Sequence, residues 1–289
     1  MKKVLITGSS GFIGRNLAEY LSAEYCVLAP RHQELDLLDA KKVEEYLHRE
    51  HPEYVIHSAV QGTLGLPDIY KTMVLKNNLQ MFFHLKRCSE CYEKMYYFGS
   101  GAEYGKDVYI PNMQEQYFDT TVPQDDYGLS KYIMAKSVKD SENIYDLRLF
   151  GVFGQHENYN YRFISNCICK ALENRDIVIH QNVYFDYLYI KDLCNIMGWF
   201  LGHQPKEHFY NVCTGHAVDI YSIAKIVVQK TNSMSKIIVE NENLGKEYSG
   251  SNQRLQGEMS EYIFTEIDTA VEEMIQFYQN ITFELSGDY

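Results

Sequence analysis

Two short motifs carry residue types that could together reduce a ketone or oxidise an alcohol. The segment Thr7-Gly8-Ser-Ser-Gly11-Phe-Ile-Gly14 follows an apolar run and can form a glycine turn that seats a pyrophosphate. Far downstream, Tyr127-Gly-Leu-Ser-Lys131 places a phenol and an amine four residues apart, on one face of a helix. Each motif alone is common, but together they predict hydride transfer that is coupled to proton transfer.

The glycine turn is predicted to bind the pyrophosphate of a dinucleotide. Gly8 permits the tight turn, Gly11 lets the backbone approach the phosphates, and Gly14 allows the helix to pack close to the strand. The helix N-terminus adds a favourable dipole. The predicted cofactor contacts in this segment are Gly8, Ser10, Gly11, Phe12, Ile13 and Gly14.

The end of the second predicted strand distinguishes the two nicotinamide cofactors. A carboxylate at this place usually binds the free ribose 2′-hydroxyl of NAD, but the sequence has Arg31 there. A guanidinium can bind a 2′-phosphate, so NADP is predicted, with NAD as the alternative. Asp36 and Leu37 follow directly and are predicted to lie near the adenine.

Tyr127 and Lys131 are predicted to move a proton to or from the substrate. A free phenol has a pKa of about 10, and a neighbouring ammonium lowers it by favouring the phenolate. Tyr127 could then give a proton to a ketone oxygen as hydride arrives, or take one as hydride leaves. Lys131 could also hold the nicotinamide ribose. Ser100 ends another predicted strand and is expected to hydrogen-bond the same substrate oxygen.

Composition and charge exclude several classes of function. A net charge of −12 over 289 residues argues against binding to a nucleic-acid backbone. The sequence shows no secretory signal and no apolar run of membrane-spanning length, so a cytoplasmic location is expected. The seven cysteines are predicted to be reduced. Although Cys88 and Cys91 have zinc-like spacing, they are predicted, like Cys167 and Cys169, to be buried apolar residues, and no metal is expected.

The first half of the chain alternates short apolar strands with helical patterns. Strands are predicted over Val4–Thr7, Tyr25–Ala29, Tyr54–His57, Met95–Gly99 and Tyr145–Leu149. Helices are predicted over Phe12–Ser22, Lys41–Glu50, Asp68–Cys91 and Tyr127–Asp140. This alternation predicts an α/β fold with a doubly wound parallel Rossmann sheet, whose ligand site lies at the carboxyl ends of the strands.

Beyond about residue 155 the alternation weakens, which indicates a smaller α/β substrate lobe. Helices are predicted over Phe163–Leu172, Ile220–Lys230 and Thr269–Tyr278, a strand over Ile237–Val239, and a surface loop over Asn241–Gly257. The chain is predicted to return to the sheet around Phe185–Asp192 and Phe209–Val212. The predicted domains are a dinucleotide-binding domain over 1–155, rejoined at about 185–213, and a substrate-binding lobe over 156–184 and 214–289.

The chain resembles the extended short-chain dehydrogenase/reductase family of nucleotide-sugar epimerases, dehydratases and reductases, and most of all its GDP-L-fucose synthase-like branch. Besides the two motifs above, the resemblance is carried by Val55-Ile-His57-Ser-Ala59, Gly154-Gln-His-Glu, Tyr187-Leu-Tyr-Ile-Lys-Asp192 and Tyr210-Asn-Val-Cys-Thr-Gly215. It implies that Ser100, Tyr127 and Lys131 form a catalytic triad and that Arg31 contacts a 2′-phosphate. It also implies cofactor contacts at Ser58, Ala59 and Leu149, and a homodimer formed through the helices over 68–91 and 127–140.

Several positions depart from the family pattern. Members that epimerise beside the ketone carry a cysteine at the position of Ala102 and a histidine near Phe163, and neither residue of this chain can move a proton. Dehydratases carry a glutamate at the Ala102 position, whereas Glu103 is one residue away and would point to the other face of a strand. Phe185 stands where members have an arginine that grips a diphosphate, so Arg162, Arg175 and Arg254 are the candidates to replace it.

The interpretation favoured by these residues is an NADP-dependent reductase that acts at C4 of a keto sugar, which is expected to be nucleotide-linked. A nucleotide-sugar 4-epimerase is the close alternative, because it needs the same triad. Such an enzyme removes a hydride from the sugar and returns it to the other face of the keto sugar. A non-catalytic dinucleotide-binding sensor or scaffold is the alternative from a different class.

Overall fold

The computed structural model describes residues 1–62 and 72–285, and these form two compact units. The first unit comprises Met1–Tyr109, Gln114–Leu149 and Cys194–Val212. The second comprises Ile110–Met113, Phe150–Leu193 and Cys213–Tyr289. The part of the predicted Asp68–Cys91 helix that precedes residue 72 lies outside the described residues.

A six-stranded parallel sheet forms the centre of the first unit. Its strands are β1 (Lys3–Thr7), β2 (Cys26–Leu28), β3 (Tyr54–His57), β4 (Lys94–Ser100), β5 (Ile144–Leu149) and β9 (Phe209–Val212). They lie in the order β2-β1-β3-β4-β5-β9, and each neighbouring pair is parallel. Strands β3 and β5 are buried at every residue, which is typical of a sheet covered on both faces. The predicted doubly wound sheet is confirmed.

Among the residues that the structure describes, five helices accompany this sheet. They are α1 (Phe12–Leu21), α2 (Ala40–Glu50), α3 (Val74–Arg87), α4 (Asp126–Val138) and α6 (Ile190–Gly202), the last of which begins in the second unit. Asp39 caps α2 by accepting hydrogen bonds from the amides of Lys41 and Lys42. Asp125 caps α4 in the same way through the amide of Gly128.

The predicted helix over Asp68–Cys91 is too long at its C-terminal end. The α-helix ends at Arg87, and Ser89–Cys91 forms a separate 3-10 turn. The side chain of Asn143 donates hydrogen bonds to the carbonyl oxygens of Ser89 and Tyr92 at 2.9 and 3.1 Å. Those contacts hold the chain in a turn before β4, and the contact residue is distant in sequence, so helical periodicity could not reveal it.

In its described part, the second unit contains two small sheets, four complete helices and the start of α6. Strands β6 (Gly151–Phe153), β8 (Tyr184–Tyr189) and β10 (Ala217–Asp219) form one sheet in the order β10-β8-β6, and β7 (Ile177–Gln181) pairs with β11 (Ile237–Asn241). The helices that lie wholly in this unit are α5 (Phe163–Leu172), α7 (Ile220–Thr231), α8 (Gln253–Glu258) and α9 (Ile267–Gln279).

Two predictions for this part of the chain are wrong. The segment Phe185–Asp192 does not return to the central sheet, because β8 pairs with β6 and β10, whereas Phe209–Val212 does return and pairs with β5. The reason lies in Asp186, a buried carboxylate that accepts three hydrogen bonds from Thr214 and Gly215 of its own unit. The predicted surface loop over Asn241–Gly257 contains part of α8, which buries Leu255.

Candidate active site

The glycine turn after β1 has the geometry that a pyrophosphate requires. Gly8 has a φ of +69°, and its carbonyl oxygen accepts a hydrogen bond from the amide of Gly11 at 2.9 Å. A Cβ on Gly14 would lie 2.3 Å from that same carbonyl oxygen. Helix α1 then begins at Phe12 without any side chain capping its N-terminus. The residues fit the diphosphate of a dinucleotide, because close backbone approach and an uncapped helix end are what such a group needs.

The turn is packed directly against the end of β3, where Ser58 and Ala59 follow. A Cβ on Gly8 would lie 2.7 Å from both Cα and N of Ala59. The amide of Ala59 donates to Oγ1 of Thr7 at 3.2 Å, and that oxygen lies 2.8 Å from Nδ1 of His57. The predicted residues Gly8, Ser58 and Ala59 are thus brought together. The contact between Thr7 and His57 was not predicted, since both residues look like ordinary strand ends.

Arg31 lies in an exposed turn after β2, as expected for a residue that could reach a 2′-phosphate. Its backbone amide donates to the carboxylate of Glu34 at 2.8 Å. Asp36 is partly exposed, and its carboxylate accepts from the amide of Leu38. Leu37, in contrast, belongs to the hydrophobic core of the first unit, and its contact with the adenine stays a prediction.

Ser100 is the last residue of β4, and Leu149 lies opposite it at the end of β5. The chain turns there into a 3-10 helix over Gly101–Tyr104. Oγ of Ser100 accepts a hydrogen bond from the amide of Ala102 at 3.2 Å, and the carboxylate of Glu103 accepts one from the amide of Ser100 at 2.8 Å. Ser100 is therefore held at the carboxyl end of the sheet, where doubly wound folds bind their ligands.

Tyr127 lies in the first turn of α4, beside the 3-10 helix that follows Ser100. A Cβ on Gly128 would lie 3.0 Å from the carbonyl oxygen of Ala102 and 2.9 Å from Cβ of Pro123. Only glycine at position 128 allows the start of α4 to come this close to the turn. The predicted partners Ser100 and Tyr127, which are far apart in sequence, are thereby held by elements in direct contact.

Lys131 is buried one helical turn after Tyr127. Its ammonium donates to the carbonyl oxygen of Phe98 at 2.7 Å and lies 4.6 Å from the ring centroid of Tyr97 and 5.7 Å from that of Tyr127. Burial lowers the pKa of Lys131 to about 8, while the charges of Glu103 and Asp146 oppose this shift. Burial and the charge of Lys131 lower the pKa of His57 to about 3. Near neutral pH the ammonium is therefore charged and the imidazole is neutral.

A cluster of buried charges lies beneath these residues and was not predicted. Nε of Arg148 donates to the carboxylates of Glu103 and Asp146 at 2.8 and 2.9 Å, and all three side chains are at most 1% exposed. Nη1 of Arg148 donates to the hydroxyl of Tyr104 at 2.9 Å. Burial is the largest cause that raises the pKa of each carboxyl group, and the Arg148 charge opposes it. Glu103 follows Ser100 by three residues, and only this capping-box spacing could have signalled the contact.

The residues predicted to bind substrate lie in both units. Ala102 is buried in the first unit, next to Ser100. In the second unit, Arg162 and Phe163 form the start of α5, Arg254 lies in α8, and Phe185 lies in β8, where its ring packs 4.9 Å from those of Tyr187 and Tyr248. These four residues belong to three separate elements. Their predicted contacts with a substrate stay predictions.

The prediction that the paired cysteines are buried is wrong for Cys91. Cys88, Cys167 and Cys169 are buried, but Cys91 is partly exposed at the end of the 3-10 turn. Its sulfur lies 3.7 Å from Nδ1 of His48 and 3.9 Å from the carboxylate of Glu90. These are three potential metal ligands at the surface, brought together by α2 and the turn, and helix periodicity gave no sign of the contact with His48.

No helix among residues 1–62 and 72–285 is both long enough and apolar enough to cross a membrane.

A sequence model of the NAD dependent epimerase/dehydratase family matches residues 4–213, which include both the glycine turn and the YxxxK segment. The chain belongs to this family. It is an NAD(P)-dependent oxidoreductase or epimerase of the extended short-chain dehydrogenase/reductase type, and a nicotinamide dinucleotide is the cofactor that the glycine turn fits.

Curated relatives match between 78% and 98% of this chain at low sequence identity. A GDP-6-deoxy-D-talose 4-dehydrogenase from Aggregatibacter actinomycetemcomitans is 23% identical over 98% of this chain and 99% of its own length. A GDP-L-colitose synthase from Yersinia pseudotuberculosis is 25% identical over 78% and 81%, respectively. A probable GDP-L-fucose synthase from Drosophila melanogaster is 21% identical over 96% and 97%.

Solved structures share the fold of this epimerase/dehydratase family member. A GDP-mannoheptose C4 reductase from Campylobacter jejuni with NADP bound is 18% identical, with a TM-score of 0.83, over 96% of this chain and 98% of that one. A UDP-glucose 4-epimerase from Thermotoga maritima with UDP-glucose is 17% identical, with a TM-score of 0.82 and the same coverage. At these identities the likeness establishes the fold.

Proposed function

We propose that this protein is an NADP-dependent reductase of a nucleotide-linked keto sugar, acting at C4. The observation that carries the proposal is the packing of α4 against the turn after Ser100, which joins Ser100, Tyr127 and Lys131 at the carboxyl end of the parallel sheet. Lys131 also lies close enough to lower the pKa of His57, whose ring contacts Thr7 just before the glycine turn. The three side chains thus belong to the same edge as the cofactor turn.

Tyr127, Lys131 and Ser100 each have a different role in the proton transfer. Bound NADPH would supply the hydride to the substrate carbon. Tyr127 donates its proton to the carbonyl oxygen as that oxygen gains charge, and the Lys131 ammonium, held 5.7 Å from the phenol ring, stabilises the resulting phenolate. Ser100 donates a hydrogen bond to the same oxygen. The oxygen therefore meets two donors when its charge develops, which is the condition for electrostatic catalysis.

The preference for NADP is supported by the exposed guanidinium of Arg31 after β2. No acidic residue stands directly at the end of that strand, where NAD-dependent relatives of this fold usually place one, although Glu34 contacts the backbone of the Arg31 turn. Among solved structures with the same fold, the Campylobacter jejuni reductase and an RMD protein from Pseudomonas aeruginosa that is 21% identical were determined with NADP or NADPH, whereas a UDP-glucose 4-epimerase from Thermus thermophilus was determined with NAD.

The substrate class is supported by the relatives. The dehydrogenase, the colitose synthase and the fucose synthase are all named for GDP-linked sugars. Ala102 cannot move a proton, so we infer that the enzyme reduces its ketone without first inverting the neighbouring carbons. Arg162 and Arg254 remain the proposed partners of the substrate diphosphate, in place of an arginine at Phe185.

A 4-epimerase is the second candidate, because the Thermotoga maritima UDP-glucose 4-epimerase has the same fold as the reductase structures. Such an enzyme would use the same three side chains to remove and return a hydride. The difference is the fate of the cofactor, because an epimerase regenerates it in each turnover.

The proposed assembly is a homodimer formed through α3 and α4. Phe83 on α3 is 37% exposed although it is a large aromatic residue in a helix that packs against the core. A matching face on a second copy would cover it. A Phe83→Glu variant that runs as a monomer in size-exclusion chromatography, against a dimeric wild type, would support this assembly, and a monomeric wild type would rule it out.

The decisive experiment is a substrate panel followed by NADPH absorbance and product analysis. GDP-, UDP- and dTDP-linked 4-keto sugars are offered with NADPH, and the matching 4-hydroxy sugars with NAD or NADP, with the free sugars and the nucleotides alone as controls. Stoichiometric loss of NADPH with one nucleotide-linked sugar supports the reductase. Conversion of a nucleotide sugar without net cofactor loss identifies the epimerase. A third outcome is tight NADPH binding with no turnover of any 4-keto or 4-hydroxy sugar. That outcome identifies a non-catalytic dinucleotide-binding protein.

A further inference from the structure

Glu103 is a fully buried carboxyl group that contacts Ser100, and it neither gives nor takes a proton in the transfer proposed above. It is 0% exposed, and its Oε1 accepts the hydrogen bond from the Ser100 amide at 2.8 Å. Ser100 in turn uses its side chain to cap the 3-10 helix that contains Glu103, which makes a complete capping box. Burying a carboxyl group next to a reacting hydroxyl is costly, so its presence there needs a specific reason.

The capping box determines what the Ser100 hydroxyl can still do. Its oxygen accepts a hydrogen bond from the amide of Ala102 at 3.2 Å, so part of its acceptor capacity is already used. The hydroxyl hydrogen is not needed for the cap and can be donated to a ligand. A serine held in this way presents a donor to a carbonyl oxygen, and its oxygen cannot rotate away without losing the cap.

Arg148 anchors Glu103 on the side opposite Ser100. Its Nε donates to Oε2 of Glu103 at 2.8 Å and to Oδ2 of Asp146 at 2.9 Å. The guanidinium carbon also lies 4.3 Å from the ring centroid of Phe118, which fixes its plane. Glu103 therefore connects two fixed points, the backbone of Ser100 and a buried guanidinium.

Gly99 makes room for this arrangement. A Cβ at position 99 would lie 2.3 Å from Oε1 of Glu103 and 2.0 Å from Oδ1 of Asp146. The two carboxylates therefore approach the backbone of β4 one residue before Ser100. The strand end, the turn and the buried charges form one packed unit around the serine.

We propose that Glu103, anchored by Arg148, is a positioning residue that holds Ser100 as a hydrogen-bond donor to the substrate oxygen. The inference rests on the proposed function, since it assigns Ser100 that role. Glu103 acts on the substrate oxygen through Ser100 and makes no contact with the substrate itself.

The test is a double-mutant cycle between Glu103→Leu and Ser100→Ala, measured on the nucleotide sugar that the wild type turns over. Loss of one such donor costs roughly 100-fold in kcat in comparable sites, so Ser100→Ala should approach that value. Glu103→Leu should lower kcat at least about tenfold with little change in the KM for NADPH. In the Ser100→Ala background Glu103→Leu should cause a much smaller loss of kcat, no larger than the loss that Asp146→Asn causes through Lys131. An equal loss in both backgrounds would overturn the proposal.

Asp146→Asn is the matched control. It changes a carboxyl group that, like Glu103, faces both Arg148 and Lys131 and that also contacts Glu103, but Asp146 takes no part in either hydrogen bond of the Ser100 capping box. If Asp146→Asn lowers kcat through Lys131 or through general destabilisation, the loss should therefore be equal in the wild-type and Ser100→Ala backgrounds. Coupling of Asp146→Asn to Ser100 as strong as that of Glu103→Leu would overturn the specific role of Glu103.

A measurement without substrate separates this proposal from the proposed function. Hydrogen–deuterium exchange of the NADPH-bound protein should speed up at the Ser100 amide in Glu103→Leu and keep its wild-type rate in Asp146→Asn. Glu103→Gln, which retains an acceptor oxygen, is measured in parallel in case Glu103→Leu does not fold, and should exchange faster than wild type because its amide group faces Nε of Arg148. If no sugar is turned over, the proposed function fails while the exchange result still decides the positioning role. Unchanged exchange at Ser100 in the folded Glu103 variants would overturn it.

Discussion

The ammonium of Lys131 lies 5.7 Å from the ring centroid of Tyr127, while its hydrogen bond to the Phe98 carbonyl keeps it fixed to β4. The Lys131 ammonium is close enough to stabilise a phenolate, and its position is fixed by a hydrogen bond to the sheet and not by one to the phenol. Tyr127 can thus change its protonation state without losing its neighbour, and this separation of roles is the basis of the first two predictions.

Replacing Tyr127 with phenylalanine should remove turnover and leave cofactor binding intact. The ring stays, but the proton donor is lost, and general acid catalysis contributes roughly 100- to 10,000-fold in rate. The measurements are kcat on the nucleotide sugar and NADPH affinity by fluorescence. Turnover within a few-fold of wild type would show that another group supplies the proton.

The activity should fall as the pH rises through the pKa of Lys131, which burial lowers to about 8. Above that pH the amine is neutral and no longer stabilises the phenolate. Asp146→Asn removes one of the charges that raise this pKa, so it should move the alkaline limb of the kcat profile to lower pH. Glu157→Gln, in the second unit, is the control and should leave the limb in place. A limb that does not respond to Asp146→Asn would argue that Lys131 is not the titrating group.

Arg31→Ala should weaken NADPH binding much more than NADH binding. A charge-assisted hydrogen bond contributes about 1.5–3 kcal/mol, so roughly a tenfold to hundredfold loss of NADPH affinity is expected. Arg49→Ala removes another arginine from the surface, on α2, and should change neither affinity. Equal losses for the two cofactors with Arg31→Ala would mean that Arg31 does not contact the 2′-phosphate.

Glu157→Gln should stabilise the protein at alkaline pH. Glu157 is 4% exposed, and its Oε1 accepts from the Ser165 hydroxyl at 2.5 Å. Burial raises the pKa of Glu157 from 4.5 to about 7. A carboxyl whose pKa is raised on folding contributes stability that is fully present below about pH 4.5 and is lost as the pH rises through about 7.

The glutamine variant keeps the side-chain shape without the charge, so it should gain up to about 3 kcal/mol over wild type above pH 8 or so, and nothing in acid. Urea unfolding at both pH values measures this difference. Glu45→Gln, at an exposed position on α2, serves as the control and should follow the wild-type curve. An equal gain in the free energy of unfolding at both pH values would mean that the glutamine acts through packing and not through the loss of ionisation.

The sequence by itself determined the central sheet and the motifs that it carries. Strands such as Tyr54–His57 are short, apolar and separated by amphipathic helices, so local periodicity is enough to place them in a parallel sheet. The glycines at 8, 11 and 14 could be interpreted for the same reason, because their conformational needs are local. The second unit was less predictable, since β8 pairs with β6 and β10, two strands of only three residues each.

Only the tertiary structure decided how the reacting serine is held. Glu103, Asp146 and Arg148 come from a turn and a strand separated by more than 40 residues, and nothing in their local pattern indicates that they share one buried site. Gly99 and Gly128 are ordinary in sequence, yet each leaves the space in which two distant segments meet. Local sequence patterns predict the conformation of a segment. The pairing of buried charged groups depends instead on which segments pack together, and that packing is decided only when the whole chain folds.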